Sequence, residues 1–249
     1  MIPKVIHYCW FGRGQMPELA LKCMNSWRKF LPDYTWKLWN EDIFDVNSVA
    51  YVKEAYEARK FAFVTDYVRL YALYLEGGIY MDTDVEVLKP LDELLSLSAF
   101  SGYESNKFSS FPTGLMASSK GGIWVKEQLD YYDNIHFIKP DGTFDLTTNT
   151  QTISRIMTEN HFKLDGTYQV YKNDMSCFPK DYFCPKTSTG LLRITTNTYC
   201  IHHFAGSWEE LSFRQKCKNF FFLKILGSRL TDFLVQQKRN CYNKYFMPL

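Results

Sequence analysis

Residues 77–87 read GGIYMDTDVEV: a glycine pair, a short apolar strand and two aspartates separated by one residue. Because alternate residues of an extended chain project from the same face, we expect the carboxylates of Asp82 and Asp84 to point to one place. Two oxygen ligands that do not complete a coordination shell suit Mg²⁺ or Mn²⁺ shared with phosphate groups. Asp-x-Asp also occurs in turns and helix caps, so the motif indicates a metal site only together with its surroundings.

Strands and helices alternate along the first ninety residues. Their hydrophobic periodicity and turn residues predict strands at 4–10, 35–39, 79–82 and 85–88, and helices at 17–29, 46–59 and 60–76. This order is typical of an α/β fold with a mostly parallel sheet and helices on both faces. Ligands of such sheets bind beyond the carboxyl ends of the strands, which is where the aspartate pair is expected.

The rest of the chain is less regular. We predict strands at 99–103 and 199–204, helices at 122–132 and 148–159, and a helical pattern from residue 208 onward. No repeat or linker interrupts the pattern. The sequence therefore predicts one domain, residues 1–208, followed by a helical tail, residues 209–249.

Composition excludes a disordered chain, since 46% of the 249 residues are hydrophobic and 17% are aromatic. No Gly-x-Gly-x-x-Gly or Walker sequence is present. A phosphate-containing ligand would therefore need a metal ion, which the aspartate pair could hold.

Basic residues are concentrated in the tail. From Arg214 onward, eight Lys and Arg accompany a single acid, Asp232, which gives a charge of +7 and leaves −5 for the first 213 residues. Aromatic and aliphatic residues between these charges fit an anionic membrane surface, and a solvated helix face fits the pattern equally well. The sequence shows no signal-peptide pattern and no Cys-x-x-Cys pair, so we expect a cytoplasmic protein with reduced thiols. Peripheral contact with the inner face of a membrane is compatible with the tail.

Asp66 and Arg69 are three residues apart in an otherwise apolar helical segment, so they share one helix face. A buried carboxylate and guanidinium are costly unless they are paired or used. They are either a structural ion pair or a polar clamp for sugar hydroxyls, to which Asp66 would accept and Arg69 would donate hydrogen bonds.

Four segments, in this order, resemble the glycosyltransferases grouped as family 32, which include capsular-polysaccharide sugar transferases, yeast outer-chain mannosyltransferases and the catalytic domains of clostridial glucosylating toxins. The segments are IPKVIHYCWFG (2–12), AFVTDYVRL (62–70), GGIYMDTD (77–84) and IHHFAGSW (201–208). The resemblance implies a GT-A fold, Rossmann-like and nucleotide-sugar-binding. It also implies a divalent metal, Mn²⁺ or Mg²⁺, and transfer with retention of anomeric configuration.

The resemblance also implies roles for individual residues. Trp10 would stack on the nucleobase, and Asn40 would lie near the nucleoside. Asp66 and Arg69 would grip the donor sugar, with Tyr80 and Asn149 nearby.

The remaining implied roles concern the metal and the diphosphate. Asp82 would contact the ribose or metal-bound water, and Asp84 would bind the metal. His203 is the expected third metal ligand. Its neighbour His202 faces the opposite side of the strand, and the alignment of this segment to the family is uncertain by one residue. Ser207 and Trp208 would reach the diphosphate.

The predicted function is metal-dependent transfer of a hexose from a UDP-sugar, with galactose, glucose or N-acetylhexosamine as the sugar. The acceptor would be a glycan or lipid-linked saccharide in surface polysaccharide synthesis, and no nucleic acid partner is expected. GDP-mannose is the second candidate donor. Two further functions fit the same residues: a metal-dependent phosphoesterase and a non-catalytic sugar-binding protein.

Overall fold

The computed structural model describes residues 1–104, 111, 114–187 and 190–206. The strands in this part of the chain are β1 (Val5–Cys9), β2 (Thr35–Trp39), β3 (Gly78–Met81), β4 (Val85–Val87), β5 (Ala99–Gly102), β6 (Leu115–Ser118), β7 (Gln169–Tyr171), β8 (Met175–Phe178) and β9 (Cys200–His202). The helices are α1 (Glu18–Phe30), α2 (Ala50–Glu57), α3 (Phe61–Glu76), α4 (Ile123–Asp130), α5 (Asn149–Glu159) and α6 (Lys180–Phe183).

Seven of these strands form the central sheet in the order β2-β1-β3-β6-β5-β8-β7. Pairing is parallel between β1 and β2, β1 and β3, and β5 and β8, whereas β6 and β7 run antiparallel to their neighbours. Five of the seven strands therefore point in one direction, which confirms the predicted α/β class with a mostly parallel sheet.

A second, two-stranded sheet pairs β4 with β9 in antiparallel fashion, with Val85 opposite His202 and Val87 opposite Cys200. It joins the segment after the aspartate pair to a segment more than a hundred residues later in the chain. The strand predicted at 199–204 is shorter than expected, because Phe204 adopts a left-handed conformation with φ 55° and ends the extended run.

Helix α3 shows two features that the sequence predicts: a largely apolar composition and an end at the glycine pair. Most of its residues are aromatic or aliphatic and much of it is buried, which matches an interior helix rather than a surface one. It ends at Gly77, whose φ of 69° only glycine adopts readily. A Cβ on the next residue, Gly78, would lie 2.6 Å from the carbonyl oxygen of Val5, so the glycine pair also allows β3 to pack closely on β1.

Helix α2 begins later than predicted, and helix α4 ends earlier than predicted. Residues 46–49 are not helical, because the carboxylate of Asp45 accepts a hydrogen bond from the amide of Asn47 and holds a turn there. Helix α4 gives way at Tyr131 to a 3-10 turn, Tyr131–Asn134. Helix α5 has the predicted start, since Thr148 caps it in a reciprocal arrangement with Gln151.

The predicted boundary between residues 208 and 209, and the helical tail beyond it, lie outside the described residues and stay predictions. Within the described part of the chain, the helices are too short or too polar to cross a bilayer.

His7 is fully buried in β1 and ties the sheet to the end of α3. The indole of Trp39 donates a hydrogen bond to its Nδ1 at 3.0 Å, so Nδ1 is unprotonated and Nε2–H donates to the carbonyl oxygen of Gly77 at 2.7 Å. Burial lowers the pKa of His7 below its usual value. The histidine is therefore neutral and structural.

This environment predicts a pH-dependent contribution to stability. Because the native pKa is lowered, the contribution of His7 is present above about pH 6.5 and is lost as the pH falls. We expect the difference in free energy of unfolding between wild type and His7→Gln to shrink between pH 7 and 5, by at most about 1.4 kcal/mol per pH unit. Urea unfolding of both proteins at each pH measures it, and a constant difference would show that folding does not lower the pKa of His7.

Candidate active site

The aspartate pair lies at the carboxyl end of β3, in the turn that leads to β4. The Asp82 amide donates to the carbonyl oxygen of Gly114 at 2.8 Å, and the Val85 amide closes the turn on the Asp82 carbonyl oxygen at 3.0 Å. Both carboxylates are partly buried, with 23% of the Asp82 side chain and 15% of the Asp84 side chain exposed. The turn therefore holds two carboxylates at the edge of the sheet where parallel strands end.

His202 completes a cluster with these two residues. Its Nε2 lies 3.4 Å from Oδ1 of Asp84 and 4.0 Å from Oδ2 of Asp82, and one ligand atom from each of the three residues lies within 4.8 Å of the others. The expected ligand His203 instead directs its Nε2 to Oε2 of Glu86 at 2.7 Å. The structure therefore places His202, and not the expected His203, beside the aspartate pair, because adjacent residues of an extended chain face opposite sides.

The carboxylate of Asp84 is held ionised. Burial opposes ionisation, but the hydrogen bond and charge of His202, with the Ala205 amide 2.7 Å from Oδ2, keep the pKa of Asp84 below its usual value. The His203 amide also donates to the carbonyl oxygen of Asp84 at 3.1 Å. Residues 203–205 are thus tied to the aspartate turn by main-chain contacts.

The donor set fits a divalent metal ion. Two carboxylates and one imidazole on converging elements are ligands that Mn²⁺ accepts, and they leave coordination positions for phosphate oxygens and water. Mg²⁺ favours oxygen ligands more strongly, so the imidazole makes Mn²⁺ the better match. Asp82, Asp84 and His202 would hold the ion.

Arg69 connects the aspartate pair to α3. One of its terminal nitrogens lies 3.3 Å from Oδ1 of Asp66 and 3.4 Å from Oδ1 of Asp82, and its guanidinium lies 4.6 Å from the centre of the Tyr80 ring. The Tyr80 hydroxyl donates to the same Asp82 oxygen at 2.7 Å. The Asp66–Arg69 pair is thus part of a network that also contains Tyr80 and Asp82.

The first turn of α5 closes over Asp66. The amide of Asn149 donates to Oδ2 of Asp66 at 3.2 Å, and its side-chain nitrogen donates to the Asp66 carbonyl oxygen at 3.0 Å. Burial raises the pKa of Asp66 to about 7, against the opposing effects of Arg69 and Asn149. The Oδ1 atom of Asn149 is buried and accepts no hydrogen bond within the described part of the chain.

Trp10 and Asn40 follow the ends of β1 and β2, so they lie at the same edge of the sheet as Asp82. The Trp10 amide donates to the carbonyl oxygen of Trp39 at 3.0 Å, and its half-buried indole donates to the carbonyl oxygen of Gly14 at 2.6 Å. The Asn40 side chain contacts Asp42. The structure therefore brings Trp10, Asn40, Asp66, Arg69, Tyr80, Asp82, Asp84 and Asn149 to one side of the molecule, and their individual roles stay predictions.

Three residues near His202 and His203 were not predicted from the sequence. Glu104 and Cys184 flank the imidazole of His202, and the ammonium group of Lys186 donates to the carbonyl oxygen of His203 at 3.1 Å. They lie in irregular segments whose sequence carries no recognisable signal. Ser207 and Trp208, the expected diphosphate contacts, lie outside the described residues.

Residues 17–101 match the family described as "Glycosyltransferase sugar-binding region containing DXD motif". This range contains Asn40, Asp66, Arg69 and the aspartate pair. The matched range includes two of the four segments, 62–70 and 77–84. Residues 17–101 are therefore similar to the DXD-containing sugar-binding region of glycosyltransferases, within an α/β fold that has a mostly parallel sheet.

Several relatives that the chain resembles have glycosyltransferase or mannosyltransferase in their names. "Inositol phosphoceramide mannosyltransferase 1" of Schizosaccharomyces pombe is 33% identical over 129 residues, which are 45% of this chain and 39% of that protein. "Uncharacterized glycosyltransferase L373" of Acanthamoeba polyphaga mimivirus is 26% identical over 245 residues, which are 91% of this chain and 90% of that protein. The chain spans less than half the length of the yeast mannosyltransferases that it matches.

Among solved structures, "PaToxG Glycosyltransferase" is similar over 64% of this chain and 70% of that chain, with 18% identity and a TM-score of 0.47.

Proposed function

We propose that this protein is a metal-dependent, retaining glycosyltransferase that moves a hexose from a nucleotide sugar to a glycan or lipid-linked saccharide. The observation that carries the proposal is the cluster of Asp82, Asp84 and His202 beside the buried Asp66–Arg69 pair. A metal-ligating cluster and a polar clamp stand next to each other at the edge of the sheet where ligands of α/β folds bind. Synthesis of a surface polysaccharide is the process that such an acceptor suggests.

Each group at the site has a task in this reaction. A bound metal ion would neutralise the negative charge that builds on the departing diphosphate. Arg69 and Asn149 would bind hydroxyls of the donor sugar and orient its anomeric carbon. The carboxylates of Asp66 and Asp82 would favour the positive charge that develops on the sugar ring.

Retention does not require a carboxylate nucleophile from this site. Asp66 is the obvious carboxylate near the expected sugar, and it is already bonded to Arg69 and to the first amide of α5. A same-face reaction, in which the departing diphosphate accepts the proton of the acceptor hydroxyl, needs no such residue. We therefore favour that route.

The choice of donor rests on the relatives. The sequence favoured a UDP-sugar, with GDP-mannose as the second candidate. Three relatives that match 40–49% of this chain are named as mannosyltransferases or as a mannosyl phosphorylinositol ceramide synthase. Their names support mannosyl transfer, so GDP-mannose is the first donor to test and UDP-galactose, UDP-glucose and UDP-N-acetylhexosamines follow.

A thermal-shift panel tests the proposal. Each nucleotide sugar and nucleoside diphosphate is added to the full chain with and without Mn²⁺, and we expect stabilisation by one base only when the metal is present. A phosphoesterase would be stabilised and would hydrolyse simple phosphate esters, whereas a sugar-binding protein would be stabilised without metal and without turnover. Either result would replace the proposed function.

Trp10 provides a separate test of the nucleotide site. Trp10→Ala is expected to weaken nucleotide binding by about 1–3 kcal/mol, which is the usual worth of stacking between an aromatic side chain and a base. Its melting temperature should change less than that of Trp27→Ala, since Trp27 is fully buried in the core and its loss costs about 3–5 kcal/mol. Unchanged affinity with a large loss of stability would make Trp10 a core residue only.

The cellular site is part of the same proposal. The tail beyond Arg214 would attach the enzyme loosely to the inner face of a membrane that carries its acceptor, with each basic residue contributing about 1 kcal/mol. Sedimentation of the full chain with anionic and neutral vesicles tests this. A protein that stays in the supernatant with anionic vesicles at low salt would contradict it.

A further inference from the structure

Besides the two aspartates, the imidazole of His202 is enclosed by an aromatic ring and a glycine. The Phe204 ring packs on one side, with 4.4 Å between ring centres and 32° between the planes. On another side lies Gly114, where an added Cβ would come within 2.9 Å of Nδ1 and 3.1 Å of Cγ. Only a residue without a side chain leaves room for the ring at this distance. The position of the imidazole is therefore fixed by packing.

The two nitrogens of this ring face different groups. Nε2 points to Asp84 and Asp82, whereas Nδ1 lies 3.6 Å from Oε1 of Glu104, beyond hydrogen-bonding distance. The Cys184 thiol lies close by. Nδ1 is buried and makes no hydrogen bond among the described residues. A movement of less than about 1 Å would bring the Glu104 carboxylate to the usual hydrogen-bond distance.

Metal binding by the imidazole determines which of its two nitrogens carries the proton. An imidazole ligates through an unprotonated nitrogen, so Nε2 must offer its lone pair and Nδ1 must carry the proton. A carboxylate that accepts this Nδ1–H fixes the tautomer and makes the imidazole a better ligand. Glu104 is placed for this task, whereas a thiol is a weak acceptor.

We propose that Glu104 is a positioning residue that accepts a hydrogen bond from Nδ1 of His202 and thereby aims Nε2 at the metal ion. The inference rests on the proposed metal-dependent function and adds a residue to it. Glu104 would act through His202 and is not itself assigned as a metal ligand. Its effect is expected in metal affinity, whatever the sugar or acceptor.

The test is a Mn²⁺ titration of the full chain, with free Mn²⁺ measured by electron paramagnetic resonance. Glu104→Ala should raise the Kd about 10–100-fold, the usual cost of losing such a partner. Glu104→Gln should have a smaller effect, because its amide oxygen can still accept from Nδ1. Melting temperatures establish that both variants are folded.

Glu86→Ala is the matched control. It removes one negative charge close to the same turn, but the side chain contacts His203, which points away from the cluster. We expect its Kd to stay within about twofold of wild type, because Glu86→Ala removes a nearby charge but no contact to His202. An equal loss in Glu86→Ala and Glu104→Ala would reduce the effect of Glu104 to general electrostatics and would overturn the inference.

A double-mutant comparison separates this role from a structural one. If Glu104 acts through His202, adding Glu104→Ala to His202→Ala should not weaken Mn²⁺ binding further. A further loss in that background, or a wild-type Kd for Glu104→Ala alone, would contradict the inference while leaving the metal site in place. If wild type and Glu86→Ala both fail to bind Mn²⁺, the proposed metal-dependent function falls together with it.

Discussion

Arg69→Met is expected to lower the free energy of unfolding by about 3–5 kcal/mol, because it leaves a buried carboxylate without its cation. Arg69 is 5% exposed, and its guanidinium lies between the carboxylates of Asp66 and Asp82. Its removal leaves Asp66 buried, and among the described residues the amide of Asn149 is then the remaining stabilising contact to its carboxylate. The loss should be greater at pH 8 than at pH 5, because a protonated Asp66 needs no cation. Urea unfolding at both pH values measures it.

Arg155→Met is the control for this change. Arg155 also pairs with a carboxylate, Glu159 at 3.0 Å, but both side chains are more than half exposed. Such surface pairs are worth less than about 1 kcal/mol. Equal losses in the two variants would show that the Arg69 pair contributes no more to the free energy of unfolding than a surface ion pair does.

Asp84→Asn is expected to abolish metal-dependent turnover while leaving the fold intact. The amide has the size of the carboxylate and can still accept from the Ala205 amide, but it is a poor ligand for a hard cation. The metal contributes several kcal/mol of charge stabilisation in such reactions, so turnover should fall by at least about 100-fold. Initial rates of donor hydrolysis at saturating Mn²⁺ measure this.

Asp33→Asn, an exposed aspartate in the turn before β2, should behave as wild type in the same assay. Near-normal turnover of Asp84→Asn would remove Asp84 from the metal site. A large fall in its melting temperature would instead make Asp84 a structural residue that ties residues 203–205 to the turn.

The first hundred residues were predictable because their signals are local. Hydrophobic periodicity, Pro17 before α1 and the glycine pair after α3 fix where elements start and stop. The helices between the first three strands supply the crossovers that parallel strands need. The same logic brought Asp82 and Asp84 to the carboxyl end of β3. The strands β6, β7 and β8 are only three or four residues long, and β6 and β8 are almost fully buried. Their sequences therefore show no alternation of apolar and polar residues to detect.

The choice between His202 and His203 shows what sequence cannot supply. The two residues are adjacent in sequence, with His202 the last residue of β9, and the pairing of β9 with β4 decides which imidazole meets the aspartates. Glu104 and Gly114 contact His202 across about ninety or more residues of chain, through loops without a regular pattern. Contacts of this kind depend on tertiary packing, so the structure is needed to find them.

Hydrolysis of nucleotide sugars by the full chain, with Mn²⁺ and with excess EDTA, tests the metal-dependent transfer most directly. GDP-mannose and the UDP-hexoses are each supplied as donor, and release of the nucleoside diphosphate is followed. We predict release from one donor with Mn²⁺, background release in EDTA, and recovery when Mn²⁺ is restored. Equal release in EDTA, or no release and no binding of any of these donors with Mn²⁺, would contradict it.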